Sequence, residues 1–205
     1  MISIILPYHD MQNGAFFLKR AIDSVMSQTF KDYELILVKE GKMAENTNAG
    51  IRRARGEIVK ILYMDDYLAH SNSLQVLYDA FLTGADWVAT ACNHDDGMNK
   101  GNVHLATWDG SIQQGINTIG SPSVIAFKNR NGFYTRNEDN VYFDEKLSWL
   151  LDVDLYTRLF QKLGKPAIIT DVNVTIGLHS GQTTHLLSDQ QKQDEFLYLN
   201  QKNGN

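Results

Sequence analysis

Apolar runs of strand length alternate with segments of helical spacing along the first 92 residues, and this alternation constrains the fold more than any other feature. Four apolar runs are typical of buried strands: residues 2–6, 34–38, 58–62 and 87–92. Three segments between them repeat apolar side chains at the spacing of a helix face: residues 14–26, 44–55 and 71–82. This β-α-β-α-β-α-β order predicts an α/β fold with a mostly parallel central sheet, covered by helices through right-handed crossovers.

The second half of the chain is less regular. Its predicted elements are an edge strand at residues 103–107, a strand at 123–128, a polar loop at 129–140, a helix at 149–163, and strands at 167–170 and 172–178. The end of the chain is rich in Gln, Asp and Lys, which favours a peripheral helix or partial disorder. We see no repeat and no linker, and predict one domain over residues 1–185 with a peripheral C-terminal tail over 186–205.

Composition limits the function classes. A chain of 205 residues is large enough for one domain with a substantial core. The net charge of -5 repels polyphosphate, so we expect no nucleic-acid partner. The lone cysteine, Cys92, lies in an apolar run and is interpreted as a core residue. No stretch approaches the roughly 20 apolar residues of a membrane span, and the N-terminus lacks a basic leader. We therefore expect no integral membrane segment and a cytoplasmic location.

Two adjacent carboxylates, Asp65 and Asp66, follow directly on the predicted strand at residues 58–62. Open α/β sheets bind their ligands at the carboxyl ends of strands. Because carboxylate oxygens suit hard divalent cations, the pair indicates Mg²⁺ or Mn²⁺ carrying a phosphate. The competing interpretation is that the two aspartates only end the strand and cap the segment after it.

Several segments in order carry a resemblance that is more specific than any single motif. They are ISIILPY at residues 2–8, AIDSVMSQTF at 21–30, ELILV at 34–38, NAGI at 48–51, ARGE at 54–57, GSP at 120–122, FDE at 143–145 and DVDLYTRL at 152–159. In this arrangement the chain resembles family 2 glycosyltransferases of the GT-A fold, over most of residues 2–185. The resemblance implies an inverting transfer of a sugar from a nucleotide diphosphate sugar donor to an acceptor hydroxyl. We expect this transfer to build a bacterial or phage-encoded surface glycan.

The resemblance also implies which residues bind the donor. The family's metal-binding aspartate maps onto Asp65, while Tyr63 replaces the first aspartate of that motif. Tyr63 is then expected either to contact the nucleoside or to pack in the core. Glu40 stands where the family has a carboxylate for the nucleoside, and Asn48 lies in the segment before the motif. A strand and a helix usual in the family are trimmed away after residue 42.

Further donor contacts are expected after the first and last strands. Pro7, Tyr8 and Asp10 are placed to lie under the nucleoside base, although Asp10 is equally suited to cap the next helix. His179 ends a strand and enters a loop of small residues, a kind of loop that closes over bound diphosphates. We expect His179 either to bind the cation or phosphate, or to be an ordinary surface histidine.

Sugar transfer also needs a carboxylate that removes the proton of the acceptor hydroxyl. Asp152 maps onto the family's base and lies in the first turn of the predicted helix at residues 149–163, where apolar neighbours raise a carboxylate pKa. Asp154 is the rival. It precedes Arg158 by four residues, a spacing more typical of a structural ion pair.

Two other functions are suggested by parts of the sequence. The letters YMDD at residues 63–66 spell the catalytic turn of reverse transcriptases, but that turn joins two antiparallel strands, and here a helix is predicted from near Ser71. A catalytically silent nucleotide-sugar or glycan-binding module of the same fold is the stronger alternative, because Tyr63 and Lys39 depart from the family pattern. Our main prediction is a glycosyltransferase that depends on Mn²⁺ or Mg²⁺ and transfers a sugar to a glycan or another hydroxyl acceptor.

Overall fold

The computed structural model of the chain describes residues 1–129 and 143–204. The strands within them are β1 (Ile2–Pro7), β2 (Tyr33–Val38), β3 (Ile58–Ile61), β4 (Tyr67–Leu68), β5 (Trp87–Asp95), β6 (Lys100–His104), β7 (Ile125–Lys128) and β8 (Ala167–Gly177). The α-helices are α1 (Gly14–Met26), α2 (Met43–Arg53), α3 (Ser73–Leu82), α4 (Leu151–Leu163), α5 (Thr183–Leu186) and α6 (Asp189–Asn203). Short 3-10 helices cover Ser111–Gln114 and Pro122–Val124.

The strands form one sheet in the order β2-β1-β3-β7-β5-β8-β4, with β6 paired to β5. The predicted α/β class is confirmed. The sheet is mixed and not mostly parallel, because β7 inserts antiparallel between β3 and β5. The β1–β2, β1–β3 and β5–β8 pairs are parallel, whereas β4 and β6 add two more antiparallel pairs. Apolar runs show that a strand exists, but its direction depends on where the preceding loop enters the sheet.

Element boundaries differ from the predictions mainly in the second half. The predicted edge strand at residues 103–107 lies three residues earlier, as β6. The two strands predicted at 167–170 and 172–178 form one strand, β8, whose pairing with β5 shifts register around Ala91. The polar loop predicted at 129–140 lies outside the described residues beyond Asn129. A bulge thus keeps β8 continuous where the sequence pattern indicates a break.

The core fixes α4 against the sheet. Trp87 of β5 stacks on Tyr156 of α4 with ring centroids 6.2 Å apart, and its indole N–H donates to the carbonyl of Gly164 at 2.9 Å. Both rings are fully buried, and burying a large apolar side chain contributes roughly 1.5–3 kcal/mol. This packing holds the first turn of α4 beside the sheet. None of the described helices is long and apolar enough to span a bilayer.

Candidate functional site

A cavity of about 590 Å³ opens beside the carboxyl ends of β1 and β3. Its walls come from segments that are far apart in the chain. They are Pro7 at the end of β1, with His9 and Met11 after it; residues 41–43 and Asn46 at α2; residues 63–66 after β3; Asn117 and residues 120–122; Ser148, Trp149, Leu151 and Asp152 at α4; and Ile176 near the end of β8, with His179, residues 181–184 and Leu186 after it. The cavity therefore joins the end of the parallel β1–β3 pair to the start of α4.

Asp65 and His179, the two predicted metal ligands, meet at this cavity. The Nε2 atom of His179 lies 3.0 Å from Oδ2 of Asp65. Helix α1 supports the pair from behind: Phe17 stacks on the His179 ring at 5.1 Å, and Arg20 donates to the backbone carbonyl of Asp65 at 2.7 Å. Packing on one side and hydrogen bonding on the other thus orient both side chains.

The donor set around Asp65 matches a cation that arrives with its ligand. Across residues 1–129 and 143–204, no group of three or more His, Cys, Asp or Glu side chains is placed to hold a metal ion. Mg²⁺ is usually bound by only one or two carboxylates, with substrate phosphates and water completing its coordination. Asp65 and His179 supply two donors of suitable chemistry, so the residues present fit a divalent cation bound together with a diphosphate.

Asp66, the residue after Asp65, makes hydrogen bonds that join segments of the fold. Its buried carboxylate accepts the Gly177 N–H at 3.0 Å and the Ser121 hydroxyl at 3.3 Å. Burial, together with the neighbouring charge of Asp65, raises the pKa of Asp66 to about 8. Position 177 accepts only glycine, because a Cβ there would lie 2.1 Å from the carbonyl oxygen of Asp65. Asp66 thus ties the end of β3 to the end of β8.

Asp152 also lines the cavity, in the first turn of α4. Its Oδ2 accepts a hydrogen bond from Nδ2 of Asn117 at 2.6 Å, and its Oδ1 accepts the Val153 N–H at 2.7 Å. Burial raises the pKa of Asp152 to about 7, although these two hydrogen bonds lower it, and the negative charge of Glu195 adds to the rise. A carboxylate that titrates near neutrality suits a general base.

The rival base, Asp154, lies outside the cavity lining. It is almost fully buried and accepts two hydrogen bonds from Arg158, at 2.9 and 2.7 Å. Its other oxygen accepts a hydrogen bond from Lys202 of α6 at 2.7 Å. Because both oxygens are bound to cations, Asp154 joins α4 to α6 and has no free face for a substrate.

The predicted nucleoside contacts divide into two groups. Pro7 and Tyr63 line the cavity, whereas Tyr8, Asp10 and Glu40 are not among its lining residues. Lys39 binds both oxygens of Asp10 at 2.8 Å and lowers its pKa, and Lys39 also lies over the Tyr8 ring at 5.9 Å. Glu40 is paired with Arg53. The two carboxylates are therefore neutralised by neighbouring cations.

Tyr63 has an unusual hydroxyl. The atom is buried and has no hydrogen-bond partner among the described residues. The nearby Thr47 hydroxyl donates instead to the carbonyl of Met43 at 2.8 Å. Burial raises the pKa of Tyr63 far above its usual value. Tyr63 therefore lies at the cavity as a neutral, mostly packed ring with an unused polar atom.

Asn48 is placed elsewhere. Its buried side chain donates to the Phe143 carbonyl at 2.9 Å and accepts the Phe143 N–H at 2.8 Å, so it joins α2 to the segment at residue 143. Its neighbour Asn46 lines the cavity instead, donating to the Tyr8 carbonyl at 3.0 Å and accepting the Glu40 N–H at 2.9 Å. Residues two apart on a helix point to different faces, which is why the pattern around Asn48 did not indicate Asn46.

Solved structures share this architecture. The 1–349 fragment of S. aureus TarS in complex with UDP-GlcNAc superposes with a TM-score of 0.68 at 13% identity, covering 97% of this chain and 64% of that one. The chain shares the fold of this structure. The mannosyltransferase PcManGT from Pyrobaculum calidifontis, in complex with GDP-Man and Mn²⁺, has a TM-score of 0.55 at 19% identity over 90% of this chain and 58% of its own. The resemblance to glycosyltransferases and the predicted GT-A fold class are thus confirmed at the level of the fold.

Sequence relatives match a shorter stretch. An uncharacterized glycosyltransferase of Rickettsia conorii is 30% identical over 66 residues, which is 32% of this chain and 10% of the relative. One from Rickettsia prowazekii is 33% identical over 66 residues, 32% of this chain and 19% of the relative. The chain therefore spans a small part of the length of these curated relatives. No family model matches it.

Proposed function

We propose that the protein is an inverting, family 2 glycosyltransferase that moves a sugar from a nucleotide diphosphate sugar to an acceptor hydroxyl in surface glycan synthesis. One observation carries the proposal: a single cavity has Asp65 and His179 on one wall and Asp152 on another. The presence of UDP-GlcNAc and GDP-Man in structures of the same fold supports a nucleotide sugar as the donor.

The donor binds along the ends of β1 and β3. Pro7, Asn46 and Tyr63 face the nucleoside, while Asp65 and His179 face the diphosphate. Asp65 and His179 would hold a divalent cation, which when bound supplies Lewis acidity that stabilises the leaving diphosphate. Arg20 and Phe17 keep these two side chains in position by contacts behind the cavity.

Asp152 performs the proton transfer. As the acceptor oxygen attacks the anomeric carbon, its proton passes to the Asp152 carboxylate, the bond from the anomeric carbon to the phosphate oxygen breaks, and the nucleotide diphosphate leaves with the electron pair. In the proposed reaction, the acceptor that Asp152 deprotonates attacks from the face opposite the leaving group. Such an attack inverts the anomeric configuration.

A donor panel tests the proposal. We expect one of the UDP, GDP, CDP or dTDP sugars to raise the Tm in the presence of Mn²⁺, and to release its nucleotide when an acceptor is supplied. An NMR spectrum of the product is expected to show the anomeric configuration inverted. A Tm shift without nucleotide release across acceptors would favour the silent binding module, and retained configuration would contradict the inverting mechanism.

A further inference from the structure

Glu195 of α6 binds the turn that precedes α4. Its carboxylate accepts three consecutive backbone N–H groups, from Ser148 at 2.8 Å, Trp149 at 2.8 Å and Leu150 at 2.9 Å. Hydrogen bonds of this kind, from N–H groups to an ionised oxygen, are roughly twice as strong as those between neutral groups. One side chain of the C-terminal helix therefore sets the backbone of the whole turn.

That turn is part of the cavity wall. Ser148 and Trp149 line the cavity, and Leu151 and Asp152 follow directly on the same wall. Because Asp152 lies two residues after the turn, a shift of the turn moves the Asp152 carboxylate relative to its partner Asn117. The contact made by Glu195 thus acts on both the shape of the wall and the position of the carboxylate.

We propose that Glu195 is a positioning residue for Asp152 and for the acceptor side of the cavity, which makes α6 part of the functional unit and not a peripheral tail. This inference rests on the proposed role of Asp152 as the base. Glu195 acts through the backbone of residues 148–150 and through its charge, without touching the reacting atoms.

Helix α6 is anchored independently of Glu195. Leu199 is buried in the core, Tyr198 donates to Asp144 at 2.9 Å, and Lys202 donates to Asp144 and Asp154, each at 2.7 Å. Removing the Glu195 charge therefore frees the turn while α6 stays docked. This separation makes the positioning role testable in the folded, full-length chain.

The charge of Glu195 is also expected to change the titration of Asp152. In the part of the chain that the structure describes, the titratable groups that interact electrostatically with Asp152 are Tyr63 after β3, Tyr156 on α4 and Glu195 from α6. The two tyrosines are neutral at ordinary pH, so Glu195 is the charged group of the three. Its negative charge disfavours ionisation of Asp152, so removing it lowers the pKa of Asp152 and moves the acid limb of the rate profile to lower pH.

The test compares Glu195→Gln with Asp194→Asn, which removes a charge one residue earlier. Asp194 is exposed, and within residues 1–129 and 143–204 its side chain is bonded only to Gln190 of its own helix. We expect Glu195→Gln to lower kcat by up to about 10²-fold, as misplaced catalytic groups do, with the acid limb shifted to lower pH. Asp194→Asn is expected to match the wild type. A wild-type rate and pH profile in folded Glu195→Gln overturns the inference.

A second readout separates this inference from the proposed function. The Asp152 carboxyl is followed by ¹³C NMR in the full chain, and its resonance is assigned by its loss in Asp152→Asn. A lower titration midpoint of Asp152 in Glu195→Gln supports the positioning role of Glu195. If Asp152→Asn keeps its transferase activity, only the assignment of Asp152 as the base is contradicted. The opposite outcome is an inactive Asp152→Asn variant and a Glu195→Gln variant in which both the Asp152 titration midpoint and the rate are unchanged. That outcome contradicts only the positioning role of Glu195.

Glu195→Asp covers the case in which Glu195→Gln does not fold. It keeps the charge but shortens the side chain by one methylene, so the three hydrogen bonds to residues 148–150 lengthen. We expect kcat to fall while the Asp152 midpoint stays close to that of the wild type. Unchanged kcat in Glu195→Asp counts against the positioning role.

Discussion

The two walls of the cavity are built in different ways. The donor wall comes from strand ends: Pro7 ends β1 and Asp65 follows β3, and these strands are parallel neighbours with Ile5 paired to Ile61. The acceptor wall comes from a loop at Asn117 and a turn at residues 148–150, which Glu195 holds from 45 residues further along the chain. Sheet register thus positions the first wall, and side chain to backbone contacts position the second.

This difference separates two kinds of mutational effect. A side chain at a strand end is supported by a backbone that does not depend on it, so its removal is expected to change ligand binding and leave the fold intact. The acceptor wall is supported by side chains themselves. Substitutions there are expected to change either the rate or the stability, depending on which contact is lost.

The largest effect is expected for Asp152→Asn, which keeps the size of the side chain but cannot accept a proton. Loss of a general base lowers rates by about 10² to 10⁴-fold. Donor affinity is expected to stay near normal, because Asp65 and the β1 end hold the nucleotide. Transfer assays and donor titrations check this, and a variant with normal transfer would move the base away from the acceptor wall.

The same variant carries a pH signature. Burial raises the pKa of Asp152 in the folded state to about 7 from an ordinary value of 3.8, so the folded chain holds this proton more tightly than the unfolded chain. The resulting stability is fully present below pH about 4 and is lost as the pH rises through about 7. We expect denaturant unfolding of Asp152→Asn to lack this loss, and wild-type transfer to rise with pH through the same range.

Asp65→Ala is expected to remove the Mn²⁺-dependent part of the Tm increase produced by a nucleotide diphosphate. The fold is expected to survive, because Arg20 binds the backbone carbonyl at position 65 and His179 still stacks on Phe17. Asp10→Ala is the control, since Asp10 is exposed and lies outside the cavity lining. Equal Mn²⁺ dependence in the wild type and Asp65→Ala would show that the donor wall binds no metal through Asp65.

Asp154→Asn is expected to act on stability and not on chemistry. The buried Asp154 accepts charged hydrogen bonds from Arg158 and Lys202, and the loss of such a bond costs about 1.5–3 kcal/mol. Asp23→Asn is the matched control, because the Lys19–Asp23 pair has the same spacing but is exposed, and exposed pairs contribute about 0–1 kcal/mol. Lost transfer in a well-folded Asp154→Asn, measured well below its Tm, would exchange the roles of Asp152 and Asp154.

The smallest effect is expected for Tyr63→Phe. Because the Tyr63 hydroxyl has no partner among the described residues, its removal loses no hydrogen bond and is expected to leave the free energy of unfolding unchanged or slightly higher. Donor affinity is expected to change little. A clear drop in affinity, measured by calorimetry, would mean that the hydroxyl contacts the donor and that the donor wall includes Tyr63 as a polar ligand.

The sequence predicted the donor wall better than the acceptor wall. Asp65 was identified because an apolar strand and two carboxylates are adjacent in the chain, and Pro7 because it ends the first strand. His179 was identified because it ends the last strand before a loop of small residues, whereas Asp152 depended mainly on the family resemblance. Asn117, Arg20 and Glu195 were missed, since each acts on the site through contacts with residues at least 35 positions away and belongs to no local pattern.

The amino-acid sequence by itself determined the α/β class, most strands and helices, and the carboxylates at the end of β3, because hydrophobic periodicity and strand ends are local properties. Tertiary structure alone decided the direction of β7, the placement of Asn48 against Phe143 instead of the cavity, and the docking of Glu195 on residues 148–150. The direction of β7 depends on where the preceding loop enters the sheet, and the other two outcomes depend on which polar groups find partners across the fold. A buried group is costly to leave unpaired, so its partner is chosen by the packed structure and not by its neighbours in sequence.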